Sequence, residues 1–230
     1  PGATNASIAL HAADYDAAPV VLFIGQIERK DFGRGAFQEV DYRKTFSDIA
    51  KWVEQVNHGD KLPEAIARAY ACAEAGTPGP VVVVLPEDML DDATNVPAEK
   101  PRKLLSPTPS PKDITLLASR LQNANQPVLI VGGSADTEEG RRNLLLASEN
   151  WGLPVATSFK RQDMFPNDHP NFGGHLGYGI PSELGDALRE ADLIVAVGTR
   201  LDDITSQGFT IPTPEQTLIH VHQDPLQIGK

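Results

Sequence analysis

Gly76-Thr77-Pro78-Gly79-Pro80-Val81-Val82-Val83-Val84-Leu85-Pro86-Glu87-Asp88 reads as a helix stop, a strand and a strand stop in succession. A strand with one wet face alternates apolar and polar side chains, whereas Val81 to Leu85 is apolar throughout. Both faces must therefore be covered, the condition of a strand inside a parallel sheet flanked by helices. Pro80 and Pro86 bracket the run, because proline lacks the N–H that a continuing central strand needs.

The pattern recurs on either side. Val20-Val21-Leu22-Phe23-Ile24 runs into Gly25, Val128-Leu129-Ile130-Val131 into Gly132-Gly133, and Leu193-Ile194-Val195-Ala196-Val197 into Gly198. Leu218-Ile219-His220-Val221-His222 is the last such run. Between them apolar residues recur at helical spacing: Leu62, Ile66, Tyr70 and Ala73; Ile114, Leu117 and Leu121; Leu144, Ala147 and Trp151; Leu184 and Leu188. Ser110 and Pro111 suit the N-cap and first position of the second of these helices. Strand–helix alternation predicts an α/β protein with parallel sheets and helical crossovers. From Asp91 to Pro111 the alternation stops: five prolines and no sustained periodicity predict a linker over 91–110. The expected organisation is thus two three-layer parallel-sheet units, residues 1–90 and 111–230. The first offers only about three strands after a helix-like opening from Asn5 to Asp16, so it is expected to be a truncated unit.

Composition narrows the function classes. With 20 basic and 31 acidic residues the net charge is −11, which opposes nucleic-acid binding. No apolar run approaches the roughly 20 residues of a membrane helix, so no membrane partner is expected. Cys72 is the one cysteine; it excludes an internal disulfide, favours a reducing, cytoplasmic setting and reads as a small core residue. The six histidines show no metal-ligand spacing, and neither a Walker lysine loop nor a Gly-x-Ser-x-Gly elbow occurs.

The residues after the strands are the candidates for binding, because ligands of open α/β sheets sit beyond the carboxyl ends of the strands. Gln26 follows the first run and reads equally as a ligand partner or a solvated loop residue. Gly35-Ala36-Phe37-Gln38-Glu39 places a phenylalanine in a polar loop, either covering a pocket or anchoring the loop in the core. Pro1-Gly2-Ala3-Thr4-Asn5 is a turn before a helix, open to a ligand or closed by a Thr or Asn cap. Gly132-Gly133-Ser134 is half a dinucleotide fingerprint without the full Gly-x-Gly-x-x-Gly spacing. Arg200, in Gly198-Thr199-Arg200-Leu201-Asp202-Asp203, has a phosphate or its own aspartates as partners. Gly173-Gly174-His175-Leu176-Gly177-Tyr178-Gly179 permits close backbone approach; His175 alone there reads as structural rather than catalytic.

In order and spacing these motifs resemble the thiamine-diphosphate enzymes of the acetolactate synthase type. Carrying the match are Pro1-Gly2-Ala3-Thr4-Asn5, Gly25-Gln26, Ala36-Phe37-Gln38-Glu39, Lys51, Gly76-Thr77-Pro78-Gly79-Pro80, Pro86-Glu87-Asp88, Gly198 to Asp203, and Asp224-Pro225 with Ile228-Gly229-Lys230. No single element is diagnostic; their succession spans essentially the whole chain. The resemblance implies the later part of a pyrimidine-binding domain followed by a Rossmann-like central domain. It places Pro1, Asn5 and Gln26 at the pyrimidine site and Phe37, Gln38 and Lys51 by the substrate channel. Gly132, Gly133, Thr157, Gly174, His175, Arg200 and Asp224 fall near flavin-contact positions of members that hold FAD; other members hold ADP, coenzyme A or nothing there. Two departures bear on FAD: Thr77 stands where flavin-bound members often carry arginine, and Gly174-His175-Leu176-Gly177 differs from the usual contact pattern.

By the same resemblance the parent enzyme uses thiamine diphosphate and Mg²⁺ on a 2-oxo acid, as a homodimer or homotetramer. The family's catalytic glutamate lies upstream of the Pro-Gly-Ala-Thr-Asn motif, and its metal anchor is a Gly-Asp-Gly stretch. Gly59-Asp60 and Gly185-Asp186 are the only Gly-Asp pairs, and neither continues that way. No catalytic or metal-binding residue is assigned to this chain, and the segment alone is expected to have no turnover. The rival readings are a free-standing nucleotide-binding module for FAD or ADP, and a structural domain whose sites have decayed.

Overall fold

The computed structural model describes residues 1–102 and 104–229; the Lys230 end of the Ile228-Gly229-Lys230 motif lies outside them. The chain divides into two compact units, Pro1–Leu105 and Ser106–Lys230. Among the described residues between Asp92 and Ser110 there is no helix or strand.

The first unit holds α1 (Gly2–Asn5), α2 (Ser7–Tyr15), β1 (Val20–Gln26), α3 (Tyr42–Phe46), β2 (Trp52–Gln55), α4 (Leu62–Glu74) and β3 (Pro80–Pro86). Its sheet is parallel, in the order β1-β3-β2. The valine run is the middle strand, and Val81 to Val84 are each 0% exposed. Val81 and Val83 pack on Ala65, Ala69 and Ala73 of α4. Val82 and Val84 pack on Leu10 of α2 and on Tyr42 and Phe46 of α3. Helices on both faces make this a three-layer unit. Each buried valine contributes on the order of 1.5–3 kcal/mol.

The face of α4 differs from the spacing-based expectation. Alanines at 65, 69 and 73 meet the sheet, while Tyr70 is 52% exposed. Small side chains let the helix lie close to the valines; Leu62 and Ala73 of the predicted stripe also meet this core, and Tyr70 turns outward. Trp52 takes up the other flank, with the Arg68 guanidinium 4.7 Å from its ring centroid. Cys72 is partly buried against the same core.

The second unit holds α5 (Pro111–Asn123), β4 (Pro127–Val131), α6 (Glu138–Trp151), β5 (Val155–Thr157), β6 (Phe172–His175), α7 (Ser182–Glu190), β7 (Leu193–Val197) and β8 (Thr217–Val221). The five strands are parallel, in the order β6-β5-β4-β7-β8. Val128, Ile130, Ala156 and Ile194 face Leu184 and Leu188 of α7. Leu129, Val131, Val155, Leu193 and Val195 face α5 and α6 through Leu117, Leu121 and Leu144. Here too the outer part of the predicted stripes is wet: Ile114 and Trp151 are exposed. α5 starts on a capping box, in which Ser110 accepts from the Asp113 amide while the Asp113 carboxylate accepts from the Ser110 amide. The chain moves outward from β4 through β5 to β6, then returns to the other side of β4 as β7. The switch point of the sheet is therefore the gap between the carboxyl ends of β4 and β7.

Candidate functional site

In the first unit the carboxyl ends of β1 and β3 open into a cavity of about 660 Å³. Pro1, Gly2 and Ala3 line one side, Ile24, Gly25 and Gln26 the floor, and Phe37, Gln38 and Tyr42 the rim. Leu85, Glu87 and Leu90 complete the wall. Its lining residues are mostly apolar, the surface they expose is somewhat more polar than apolar, and its volume is usual for small-molecule sites.

The Pro-Gly-Ala-Thr-Asn motif is not a turn before a helix. Gly2–Asn5 are themselves helical, and Ala6 carries the αR conformation into α2. Pro1 thereby reaches the cavity, while Asn5 is exposed and is not among its lining residues. Gln26 fits neither sequence alternative fully. It is buried, and its amide ties two segments together: Nε2 donates to the Val40 carbonyl at 2.7 Å and Oε1 accepts from the Ile27 amide at 3.1 Å. One Nε2 hydrogen is left beyond that bond.

The rim loop is organised by Glu39, whose carboxylate accepts from the amides of Gly33 and Gly35 at 2.6 and 3.2 Å. Gln38 is held at φ +67, a left-handed conformation that costs a glutamine on the order of 1 kcal/mol. Phe37 is 89% exposed, so the core-anchor reading of this phenylalanine is overturned. Lys51 is not brought to the cavity. Its Nζ donates to the carbonyls of Ala75 and Thr77, just past the end of α4. Its own amide bonds Pro80, at the amino end of β3 and the opposite end of the sheet from Gln26. A positive charge at a helix carboxyl end is stabilising on its own account.

A brace that spacing does not reveal holds the cavity's far wall. Arg29 Nε donates to Asp88 at 2.8 Å, and its terminal nitrogens reach both oxygens of Asp92 at 2.7 and 2.9 Å and the Asn57 carbonyl at 2.8 Å. Hydrogen bonds from Arg29 hold the pKa of both aspartates below the ordinary carboxylate value, and those to Asp92 and then Asp88 raise the pKa of the arginine. The three groups stay charged together.

In the second unit the switch point brings Gly132-Gly133-Ser134 and Gly198-Thr199-Arg200 into one ladder. The Gly132 amide donates to Val197 and the Ser134 amide to Gly198, both at 2.9 Å. Gly132 has a packing reason to be glycine: an added Cβ would lie 2.5 Å from the Thr199 Cβ. Gly198 has φ +65 and backs onto the Ala135 amide. Arg161, not singled out from sequence, lies against Gly133, where an added Cβ would meet its guanidinium at 2.8 Å.

Thr157 pairs in register with Val131 on one side and His175 on the other. It is 0% exposed, and its hydroxyl has no hydrogen-bond partner among the described residues. Gly174 adopts φ +125 where β6 shifts register against β5. His175 is half-buried beside Gly177. Asp224 serves its own turn: its carboxylate accepts from the Leu226 amide at 3.0 Å and from Gln227 at 3.4 Å. Its amide donates to His222 Nδ1 at 3.0 Å, and His222 Nε2 lies 3.1 Å from the Ser134 hydroxyl. Gly132, Gly133, Thr157, His175, Arg200 and Asp224 follow or end strands at this one edge of the sheet, with Gly174 one residue inside β6. No group of three His, Cys, Asp or Glu suited to a metal occurs among the described residues, and no described helix is long and apolar enough to cross a membrane.

Comparison with known proteins gives these edges a context. Residues 114–230 match the family model described as "Thiamine pyrophosphate enzyme, central domain". Over its whole length the chain is 31% identical to the probable acetolactate synthase large subunit of Methanocaldococcus jannaschii, covering 40% of that protein. It is 34% identical to the acetolactate synthase of Mycobacterium bovis, covering 38% of it. The thiamine diphosphate-dependent 4-hydroxybenzoylformate decarboxylase of Rhodococcus jostii RHA1 superposes with a TM-score of 0.80 at 27% identity, over 98% of this chain and 44% of that one. The chain thus spans about two fifths of the length of the curated relatives it matches.

Proposed function

The chain belongs to the thiamine pyrophosphate enzymes, and from that premise we propose that it supplies the pyrimidine-side wall and the central domain of an acetolactate synthase-like enzyme acting on 2-oxo acids. The observation that carries this is the 660 Å³ cavity at the carboxyl ends of β1 and β3, reached by Pro1, Gln26, Phe37 and Gln38. Thiamine diphosphate, when bound with its Mg²⁺, supplies the nucleophilic carbon that takes up the acyl group of a 2-oxo acid. This chain's residues do the positioning. Leu22, Ile24 and Leu85 give a flat ring an apolar backing, and the second Nε2 hydrogen of Gln26 is a donor toward it. Phe37 shields the rim from water, and the strained Gln38 presents a polar group where substrate enters. On this reading the segment alone does not turn over, because it provides one wall of the cavity and no metal anchor; the parent assembles as a homodimer or homotetramer in the cytoplasm.

At the second edge we propose a nucleotide, FAD or ADP, with its diphosphate on the outer side of the paired Gly132 and Gly198 turns. Supporting this are the switch-point position and the arginines at 161 and 200 beside the glycine turns. The FAD-specific departures at Thr77 and Gly174 to Gly177 leave ADP and FAD to be separated by titration.

Ligand-observed NMR on the 230-residue chain with thiamine diphosphate tests the first part. Saturation should reach the pyrimidine protons before the thiazolium protons and fall in Phe37→Ser. Transfer confined to the thiazolium ring would refute the assignment. Pyruvate consumption by the same chain with thiamine diphosphate and Mg²⁺ would refute inactivity of the segment. Binding of ADP or FAD without any thiamine contact would favour the free-standing nucleotide module instead.

A further inference from the structure

We infer that Ser134 is a ligand-facing hydroxyl whose proton is aimed by His222, so that the pair donates to an anionic oxygen of a diphosphate at the β4–β7 crevice. This rests on the nucleotide reading of the second unit and adds to it a residue pair, 88 positions apart, that no spacing pattern connects.

The tautomer of His222 sets the direction of each bond. Its Nδ1 lies 3.0 Å from the Asp224 amide nitrogen and 3.3 Å from the Asp224 carbonyl oxygen. The amide can only donate, so the shorter contact makes Nδ1 an acceptor without a hydrogen. A neutral ring then carries its hydrogen on Nε2, 3.1 Å from Ser134 Oγ, and donates to it. The serine oxygen is thereby an acceptor, and its own hydrogen has no acceptor among the described residues. It must point away from His222, out of the turn formed by Gly132 and Gly133.

The surroundings favour an anion. Arg161 lies against Gly133, with the Asp136 carboxylate 3.9 Å from its guanidinium. Burial foremost, with the fields of His220 and Arg200, holds the His222 pKa below its ordinary value against the opposing pull of Asp224. The ring is therefore neutral near neutral pH, as the relay requires. His220, edge-on to His222 at 5.9 Å between centroids, is engaged elsewhere, its Nε2 at 2.8 Å from the Thr199 carbonyl. Beside the turn, in register with the last residue of β4, the Thr157 hydroxyl is fully buried and unpartnered. It is a second polar group at the same strand end with nothing of the described protein to satisfy it.

Calorimetric titration of the full 230-residue chain with ADP, FAD and inorganic pyrophosphate tests this, with nitrogen-15 NMR of the His222 ring alongside. Removing a hydrogen bond to a charged group should weaken ADP and pyrophosphate about tenfold in Ser134→Ala and equally in His222→Leu. The double variant should be no weaker than Ser134→Ala, since the two residues act as one donor. His222→Gln, whose amide can still donate to Ser134, should bind like the parent chain, a rescue that a packing role would not give. The ring should show the Nε2–H tautomer, an observation that stands even if a variant fails to fold. Unchanged affinity in Ser134→Ala, multiplied losses in the double variant, or an Nδ1–H ring would overturn the inference while leaving the nucleotide reading intact. If the parent chain binds none of the three probes, the nucleotide reading falls and takes this inference with it. Pyrophosphate binding without ADP binding would keep the Ser134–His222 donor and restrict its ligand to the diphosphate moiety.

Discussion

At the carboxyl end of the three-stranded sheet the chain leaves a 660 Å³ cavity with Phe37 standing out at its rim. At the same end of the five-stranded sheet the turns fill their own space, glycine against threonine and arginine against glycine, with polar groups sealed below. One fold principle, helices packed on both faces of parallel strands, thus yields an open bowl in one unit and a close-packed seam in the other. The loops beyond the strand ends make the difference. The long loop after β1 is tied to the strand ends through Arg29 and Val40 and leaves the space between open, whereas the glycine turns after β4 and β7 hydrogen-bond directly to each other. Room for a ligand is made by loop length in one case and by backbone approach in the other.

The largest effect is expected where one unit unfolds alone. Phe46 is completely buried beneath Val82 and Val84. Phe46→Ala should cost the first unit about 3–5 kcal/mol. Calorimetry should show its transition falling while that of the second unit stays in place; a joint shift would mean that the two melt as one. The next effect tests the seam. Gly132→Ala forces a methyl into the Thr199 side chain, which should cost the second unit about 1–3 kcal/mol, read as a lower urea midpoint. The equivalent change in the bowl, Gly25→Ala, meets nothing within 4 Å and should be close to neutral.

How much of this the sequence disclosed depends on the range of the interaction. Runs such as Val81 to Leu85 and Leu193 to Val197 announce buried parallel strands because both faces demand apolar residues, and all five runs are strands. β2, β5 and β6 are short and mixed, for example Trp52-Val53-Glu54-Gln55, and carry no such signature. Helices were legible but their faces less so, since Ala65 and Ala69 are core residues that hydrophobic spacing ranks below Ile66 and Tyr70. The candidate sites were legible as strand ends and no further. Gln26 bonds Val40, Lys51 bonds Ala75 and Thr77, and His222 lies on Ser134. Those partners meet only after the chain has folded.

Mild acid should separate the units by a smaller margin. The folded-state pKa of His222 is lowered, so below the ordinary histidine value of about 6.5 the unfolded chain binds a proton that the native chain refuses. Stability of the second unit should decline as pH falls through that value and level off below the lowered native one. The aspartates of both units, Asp88 and Asp92 in the first and Asp192 in the second, have lowered pKa values. Their contribution is present above about pH 3.9 and is lost only as pH falls below it. Thermal melts between about pH 7 and 5 should therefore move the second unit first, and His222→Gln should flatten that dependence. Smallest of all, Phe37→Ala should leave the melting of the first unit within about 0.5 kcal/mol of the parent, because the ring has little packing to lose. A large fall would mean that the rim loop is built on that side chain.

The capping box of Ser110 and Asp113 has a consequence for how such a chain can change over time. α5 closes its first turn with Ser110 and Asp113 and borrows nothing from the proline-rich stretch upstream of that serine. That stretch is then at liberty to lengthen, shorten or drift in composition without touching the start of the second sheet. A protease cutting there would leave each piece with its helix ends intact.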